Sequence, residues 1–215
     1  MIVDSVSQER WQQAQEAELE CQLPQANNPR WEWEMFRYYY LLLFGDFIKD
    51  DWHLRTVMEV GVGTAGVLWL TNAETKVAVE PLAPKFIEQN PSIYSDYQRI
   101  IPHGAESLPE IADNSIDGVI CLNVLDHCRD PKAVLDEMYR VLKHQGKMEF
   151  CCDLKSQDGH LDRAHPIALS SRWFKDWWMD KNWFCSSEKV VRSRSIDNMA
   201  NELLDGCYVF RGRKS

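Results

Sequence analysis

Ten residues in the first third of the chain constrain its fold more than any other stretch. Residues 57–66 read Val-Met-Glu-Val-Gly-Val-Gly-Thr-Ala-Gly, an apolar run that ends in the spacing Gly61-x-Gly63-x-x-Gly66. This spacing is typical of a buried parallel strand that turns sharply and lets a ligand touch bare backbone. Several nucleotide-like ligands and ligand-free tight turns share it. The neighbouring acidic residues must therefore distinguish between these ligands.

Strand and helix patterns alternate from residue 56 to residue 152, which is typical of a doubly wound parallel sheet. After the glycine turn we expect a short helix over Ala65–Thr71, and near the end a short helical pattern over Met199–Leu204. The predicted strands are 57–60, 76–80, 99–102, 115–122, 147–152, 183–191 and 207–211. The fold class is therefore an α/β, Rossmann-like, mainly parallel sheet with an antiparallel C-terminal edge.

Residues 1–50 are predicted to form a helical arm ahead of a domain over residues 51–215. A polar helix over Asp4–Cys21 has few apolar anchors, and prolines and asparagines follow it. From Trp33 onward, apolar residues at 33, 36, 40, 43, 44, 47 and 48 repeat at helical spacing. Because such a face is stable only when it is packed, we expect the arm to cover the domain as a lid or scaffold.

Composition and charge exclude several classes of protein. No apolar run approaches the roughly 20 residues of a membrane-spanning helix, and the start lacks the basic flank of a secretory signal. A net charge of -9 argues against nucleic acid as a partner. The seven cysteines show no Cys-x-x-Cys spacing, so we expect them to be reduced and buried, with no metal bound. The sequence thus predicts a soluble, cytoplasmic protein with no membrane partner.

Two carboxylates beside the glycine turn indicate the ligand. Glu80 lies nineteen residues after Gly61, the spacing at which an acid accepts both hydroxyls of a ribose. Glu59 would repel a pyrophosphate but attract the ammonium and sulfonium of S-adenosylmethionine, by about 4 kcal/mol at about 4 Å. Backbone amides could also hold a buried Glu59, and the two roles are compatible. We therefore expect a cationic, ribose-bearing cofactor at Glu59, Gly61, Gly63 and Glu80.

From Val57 to Asp153 the chain resembles the class I S-adenosylmethionine-dependent methyltransferases of the small-molecule type. Residues 58–66 look like the first motif of that family, Glu80 like its ribose acid, and residues 122–127 like its fourth-strand motif. The resemblance implies seven strands with an antiparallel last pair and S-adenosylmethionine as cofactor. Because Gly104 replaces the usual adenine-binding acid of the family, Ala105 and Glu106 are expected to contact the cofactor instead. Asn123, at the end of the fourth strand, faces the same crevice and is expected to contact it as well.

The predicted reaction is methyl transfer to a small polar acceptor, with saccharides among the candidates. Transfer from a sulfonium needs chiefly alignment in a dry pocket, and a hydroxyl acceptor would gain from a general base. His165, oriented by Asp162, is the first candidate, and His127 beside Asp126 is the second. Each histidine could equally have a structural role.

Two other functions stay open at this point. One is an NAD-dependent oxidoreductase, which Glu59 and the short chain disfavour. The other is a non-catalytic protein that binds the cofactor or a partner through the N-terminal helices. A homodimer is one assembly compatible with the sequence.

Overall fold

One seven-stranded sheet organises the chain, in the order β3-β2-β1-β4-β5-β7-β6. The computed structural model describes residues 5–27, 43–155, 161–191 and 204–215. The strands are Thr56–Val60 (β1), Thr75–Val79 (β2), Arg99–Ile101 (β3), Ile116–Leu122 (β4), Leu142–Lys155 (β5), Trp183–Val191 (β6) and Leu204–Lys214 (β7). Strand β7 runs antiparallel to both of its neighbours, β5 and β6, and the remaining strands run parallel to one another. The predicted fold class, with its antiparallel C-terminal strand, is confirmed.

Three of the helices begin after a residue whose side chain caps the first turn, namely Ser7, Asp130 and Ser170. The helices are Gln8–Gln22 (α1), a helix described over residues 43–48 (α2), Ala83–Gln89 (α3), Pro131–Val141 (α4) and Ser171–Met179 (α5). The Asp130 carboxylate accepts the Ala133 amide at 2.9 Å and so caps α4. The predicted positions 33, 36 and 40 of the arm lie outside the described residues, as does the pattern from residue 199 to residue 203. The boundary at residue 50 stays a prediction.

The prediction of a helix over Ala65–Thr71 is wrong in extent. A single 3-10 turn over Leu68–Leu70 forms there instead. The Glu59 carboxylate accepts the amides of Val67 and Leu68, which start this turn. Both the amide and the hydroxyl of Thr71 then bond to the Leu68 carbonyl and close it. The turn therefore ends before an α-helix can propagate.

The sheet has an apolar layer on each face. On one face, α4 and α5 pack against a core that contains Met148, Phe150 and the aromatic residues of β7. On the other face, residues 43–48 and Trp52 pack over Val57 and Cys151. All seven cysteines lie in the described residues and none of them forms a disulfide, but Cys21 and Cys185 are exposed, which corrects the expectation that all of them are buried. Among the described residues, none of the helices combines the length and the apolar character needed to cross a bilayer.

The strand register aligns the ends of the central strands. Val60 pairs with Val79 of β2 and with Cys121 of β4. Beyond the strands, the Gly61 amide donates to the Val79 carbonyl at 2.8 Å, so the ladder continues for one more bond. The residues that follow β1, β2 and β4 therefore meet at one edge of the sheet, where ligands of open parallel sheets bind.

We expect Gly61→Ala to lower the free energy of unfolding by about 2 to 5 kcal/mol, from left-handed backbone strain and overpacking. Gly61 has a φ of +70°, and an added Cβ would lie 2.2 Å from a methyl carbon of Val124. Urea unfolding measures the loss. The matched control is Gly45→Ala in α2, where no atom of the described residues lies within 4 Å of the added Cβ. That variant should be neutral or slightly stabilised, and equal losses in both variants would contradict the prediction.

Candidate active site

A cavity of about 420 Å³ lies at the carboxyl edge of the sheet, between the ends of β1, β2 and β4 and the helix α1. Its lining includes every residue that the sequence predicted for the cofactor and both candidate histidines. These are Glu59, Gly61, Gly63, Glu80, Ala105, Glu106, Asn123, His127 and His165. The remaining predicted residue, Asp162, contacts His165. The fold thus brings the predicted residues together, while their roles stay predictions.

Glu80 is fixed beside the glycine turn. One of its carboxylate oxygens accepts the Gly63 amide at 2.9 Å, and the other accepts the Leu82 amide at 2.9 Å. Gly61 and Gly63 both have positive φ, which brings their amides toward the end of β2. Burial raises the pKa of Glu80, and the two amides oppose this rise. A buried carboxylate is therefore held in place at the edge of the cavity.

Glu59 borders the cavity but is held by the protein itself. Its carboxylate accepts the amides of Val67 and Leu68 at 3.0 and 3.2 Å and the Tyr97 hydroxyl at 2.5 Å. Burial raises the pKa of Glu59 to about 7, although these hydrogen bonds oppose the rise. Of the two roles open in the sequence, the structure shows the one in which backbone amides hold Glu59. A contact with a cationic ligand stays a prediction.

The remaining predicted cofactor residues line the cavity beyond β4. A Glu106 oxygen accepts the Arg129 amide at 2.9 Å, and Ala105 is buried beside it. Asn123 has a φ of +57°, and its side-chain oxygen accepts the Asp153 amide at 3.0 Å. The Asn123 side chain therefore ties the ends of β4 and β5 together.

The two candidate histidines lie with their ring centroids 4.3 Å apart. His165 Nδ1 lies 2.7 Å from an Asp162 oxygen, a contact that holds this ring, while the catalytic role of the pair stays a prediction. His127 Nδ1 lies 3.1 Å from Glu18 Oε1. Burial lowers the pKa of His127, but the charges of Asp126 and Glu18 outweigh it and raise the pKa to about 9. The pair therefore lies in a strongly acidic environment.

Helix α1 supplies one wall of the cavity; the sequence predicted that the arm covers the domain, but not which of its residues face the cavity. Its cavity-lining residues recur at helical spacing and are Trp11, Gln15, Glu18, Cys21 and Gln22. Gln22 Oε1 accepts the Thr64 amide of the glycine turn at 3.2 Å. The Arg10 guanidinium donates to the Asp162 and Arg163 carbonyls at 2.6 and 2.8 Å. The stripe at 11, 15, 18 and 22 marks one face, but polar residues alone do not reveal what that face covers.

Comparison with known proteins identifies the central part of the fold. A family model described as a methyltransferase domain matches residues 58–150. Residues 58–150 are a methyltransferase domain. The thiol S-methyltransferase TMT1B of Rattus norvegicus is 32% identical to this chain over 100 residues. That match covers 44% of this chain and 41% of the relative, so the methyltransferase domain is shared while most of each protein lies outside the match.

Solved structures share the architecture of the methyltransferase domain over a longer stretch. The YcgJ protein of Bacillus subtilis superposes with a TM-score of 0.61 at 15% identity, over 82% of this chain and 98% of that protein. Phosphoethanolamine N-methyltransferase 2 of Haemonchus contortus, in complex with S-adenosyl-L-methionine, gives a TM-score of 0.63 at 11% identity. This match covers 82% of this chain and 52% of that enzyme. At these identities, both structural similarities support the fold alone.

Proposed function

We propose that the chain is an S-adenosylmethionine-dependent methyltransferase that acts on a small-molecule acceptor. The observation that carries the proposal is the buried Glu80 carboxylate beside the amide of Gly63, at the edge of a cavity in a methyltransferase domain. An acid at the end of the second strand is where such folds accept ribose hydroxyls.

The proposed orientation follows from the residues around the cavity. The ribose lies against Glu80, the adenine extends toward Ala105 and Glu106, and the methionine end lies under α1. The sulfonium supplies an activated methyl group, so the chain has to align the acceptor and exclude water. Helix α1 suits the exclusion of water, because its Glu18 and Gln22 line the cavity.

A small nucleophile is the proposed acceptor, and thiols are the first class to test. The relative from Rattus norvegicus is a thiol S-methyltransferase, and the cavity of about 420 Å³ also has to hold the cofactor. Saccharides and other small hydroxyl compounds form the second class, for which His165 or His127 would serve as the general base. The NAD-dependent alternative is disfavoured, since the family model that matches describes methyltransferases.

Calorimetry with S-adenosylhomocysteine and with NAD tests the cofactor. We expect the first ligand to bind with a 1:1 stoichiometry and to add about 2.7 kcal/mol to the free energy of unfolding at about a hundredfold excess over its dissociation constant. Transfer of a labelled methyl group to a panel of thiols and hydroxyl compounds tests the activity. Stabilisation by NAD alone would overturn the proposal. Tight binding without transfer to any acceptor would favour the non-catalytic alternative.

A further inference from the structure

The side chains of Asp126, His127 and His165 lie together beside the cavity, with their polar atoms slightly too far apart for hydrogen bonds. Asp126 follows β4 in a short 3-10 turn, and its side chain is 0% exposed. Asp126 Oδ1 lies 3.7 Å from His127 Nε2, and Asp126 Oδ2 lies 3.8 Å from His165 Nε2. Within the described part of the chain, Oδ2 is buried without any hydrogen-bond partner. A buried carboxylate oxygen without a hydrogen bond lowers the stability of the fold unless a ligand or an ion binds it.

The other nitrogen of each imidazole is already engaged. His165 Nδ1 lies 2.7 Å from Asp162, and His127 Nδ1 lies 3.1 Å from the Ala164 carbonyl and 3.1 Å from Glu18. Carboxylates and carbonyls only accept, so the hydrogen bonds assign a proton to both Nδ1 atoms. In their neutral forms both rings then direct an Nε2 lone pair toward the Asp126 carboxylate. Either a proton on Nε2 or a metal ion between the three atoms satisfies these acceptors, and metal titration distinguishes the two.

The groups around the two imidazoles carry negative charge, which a bound cation would balance. The carboxylates of Glu18, Asp126 and Asp162 surround the two imidazoles. Arg10 reaches the same loop, but it donates to backbone carbonyls, including those of Asp162 and Arg163. A divalent ion would offset most of the charge of the three carboxylates.

We propose that Asp126, His127 and His165 form a binding site for a divalent first-row metal ion such as Zn²⁺. Two histidines and one carboxylate are a ligand set that such ions prefer. The three ligand atoms lie within 4.8 Å of one another. Ligands at about 2.1 Å from a tetrahedral ion are about 3.4 Å apart, so the two nitrogen–oxygen pairs have to close by a few tenths of an ångström and the widest separation of the three atoms by up to about 1.4 Å.

The surroundings of the site are those that metal-binding histidines usually have. An acceptor holds Nδ1 of each ring, Asp162 for His165 and both the Ala164 carbonyl and Glu18 for His127, which fixes the ring and strengthens Nε2 as a ligand. Both histidines line the cavity, so the remaining coordination positions face it. A thiol or hydroxyl acceptor bound to the ion would lose its proton more readily, so the ion would activate it in place of a histidine general base, a consequence that rests on the proposed function. The metal site itself does not depend on it.

Metal titration of the untagged full chain, after treatment with a chelator, tests the site without any cofactor. We expect one equivalent of Zn²⁺ to bind by calorimetry and one equivalent of Co²⁺ to give a visible absorption band. His165→Ala and Asp126→Asn should each weaken binding at least a hundredfold, and Asp162→Asn by ten- to a hundredfold. The controls are His144→Ala, which removes an exposed histidine outside the cavity, and Cys185→Ser, which removes an exposed thiol. Both controls should bind like the wild type.

The outcomes separate the site from the proposed function. The absence of stoichiometric binding, or equal binding by the wild type and His165→Ala, would overturn the metal site. Circular dichroism checks that Asp126→Asn folds, and the half-exposed Asp162 gives a variant that does not disturb the core. If metal binds as expected while no methyl is transferred, the site stands and the proposed function falls. If methyl transfer occurs and no metal binds, the proposed function stands alone.

Discussion

Replacing Glu80 with glutamine is expected to weaken the binding of S-adenosylhomocysteine at least a hundredfold. Hydrogen bonds to a charged group contribute about 1.5 to 3 kcal/mol each, and the proposed orientation places two ribose hydroxyls on this carboxylate. The carboxylate is 5% exposed, so little water is available to take over either bond. Isothermal titration calorimetry on the folded variant measures the loss.

The control for Glu80 has to separate ribose binding from support of the glycine turn. Glu80 also accepts the Gly63 and Leu82 amides, so a weaker complex alone does not identify the ribose contact. We therefore compare S-adenosylhomocysteine with its 2′-deoxy analogue in the wild type, in Glu80→Gln and in the exposed Glu74→Gln. The wild type and Glu74→Gln should prefer the hydroxylated ligand, and Glu80→Gln should lose that preference. An unchanged preference in Glu80→Gln would contradict the ribose role.

Stability is expected to fall with rising pH through Glu59, by about 3 kcal/mol in total. Burial raises the pKa of Glu59 from 4.5 to about 7, so between these values the folded chain binds more protons than the unfolded chain. The contribution is therefore fully present below the unfolded pKa and is lost as the pH rises through about 7. One pKa unit corresponds to about 1.4 kcal/mol, which sets the size of the effect.

Glu59→Gln removes this titration while it preserves the shape of the side chain. Urea unfolding at about pH 5 and about pH 8 gives the free energy of unfolding for both proteins. Other groups titrate in both, so the decisive quantity is the difference between the two pH dependences. The wild type should lose about 3 kcal/mol more than the variant over this interval. Parallel pH dependences would show that Glu59 does not titrate in this range.

Much of the sheet could be predicted because its strands have a local pattern. Strand β4 is apolar along nearly its whole length, as a central strand with helices on both sides requires, and all seven of its residues are buried. Helix α4 begins at Asp130-Pro131, where a capping carboxylate precedes a proline. Such signals depend on neighbouring residues, so they can be read without knowing the fold.

Other features depend on residues that meet only after folding. The helix expected after the glycine turn is a single 3-10 turn, because Glu59 of β1 binds the amides of Val67 and Leu68. Helix α1 has a weak apolar pattern, so its contact with the cavity through Glu18 and Gln22 could not be predicted. The expectation of no metal rested on the spacing of cysteines, whereas the proposed ligands include two histidines from separate loops.

By itself, the sequence determined the glycine turn, the acid at the end of the second strand and the parallel sheet, since each follows from local spacing and periodicity. Only the tertiary structure decided how Glu59 is held, that Glu18 and Gln22 of α1 line the cavity and that His127 and His165 converge on Asp126. The reason is physical. A carboxylate or an imidazole takes its role from its burial and from the donors and charges around it, and these come from distant parts of the chain.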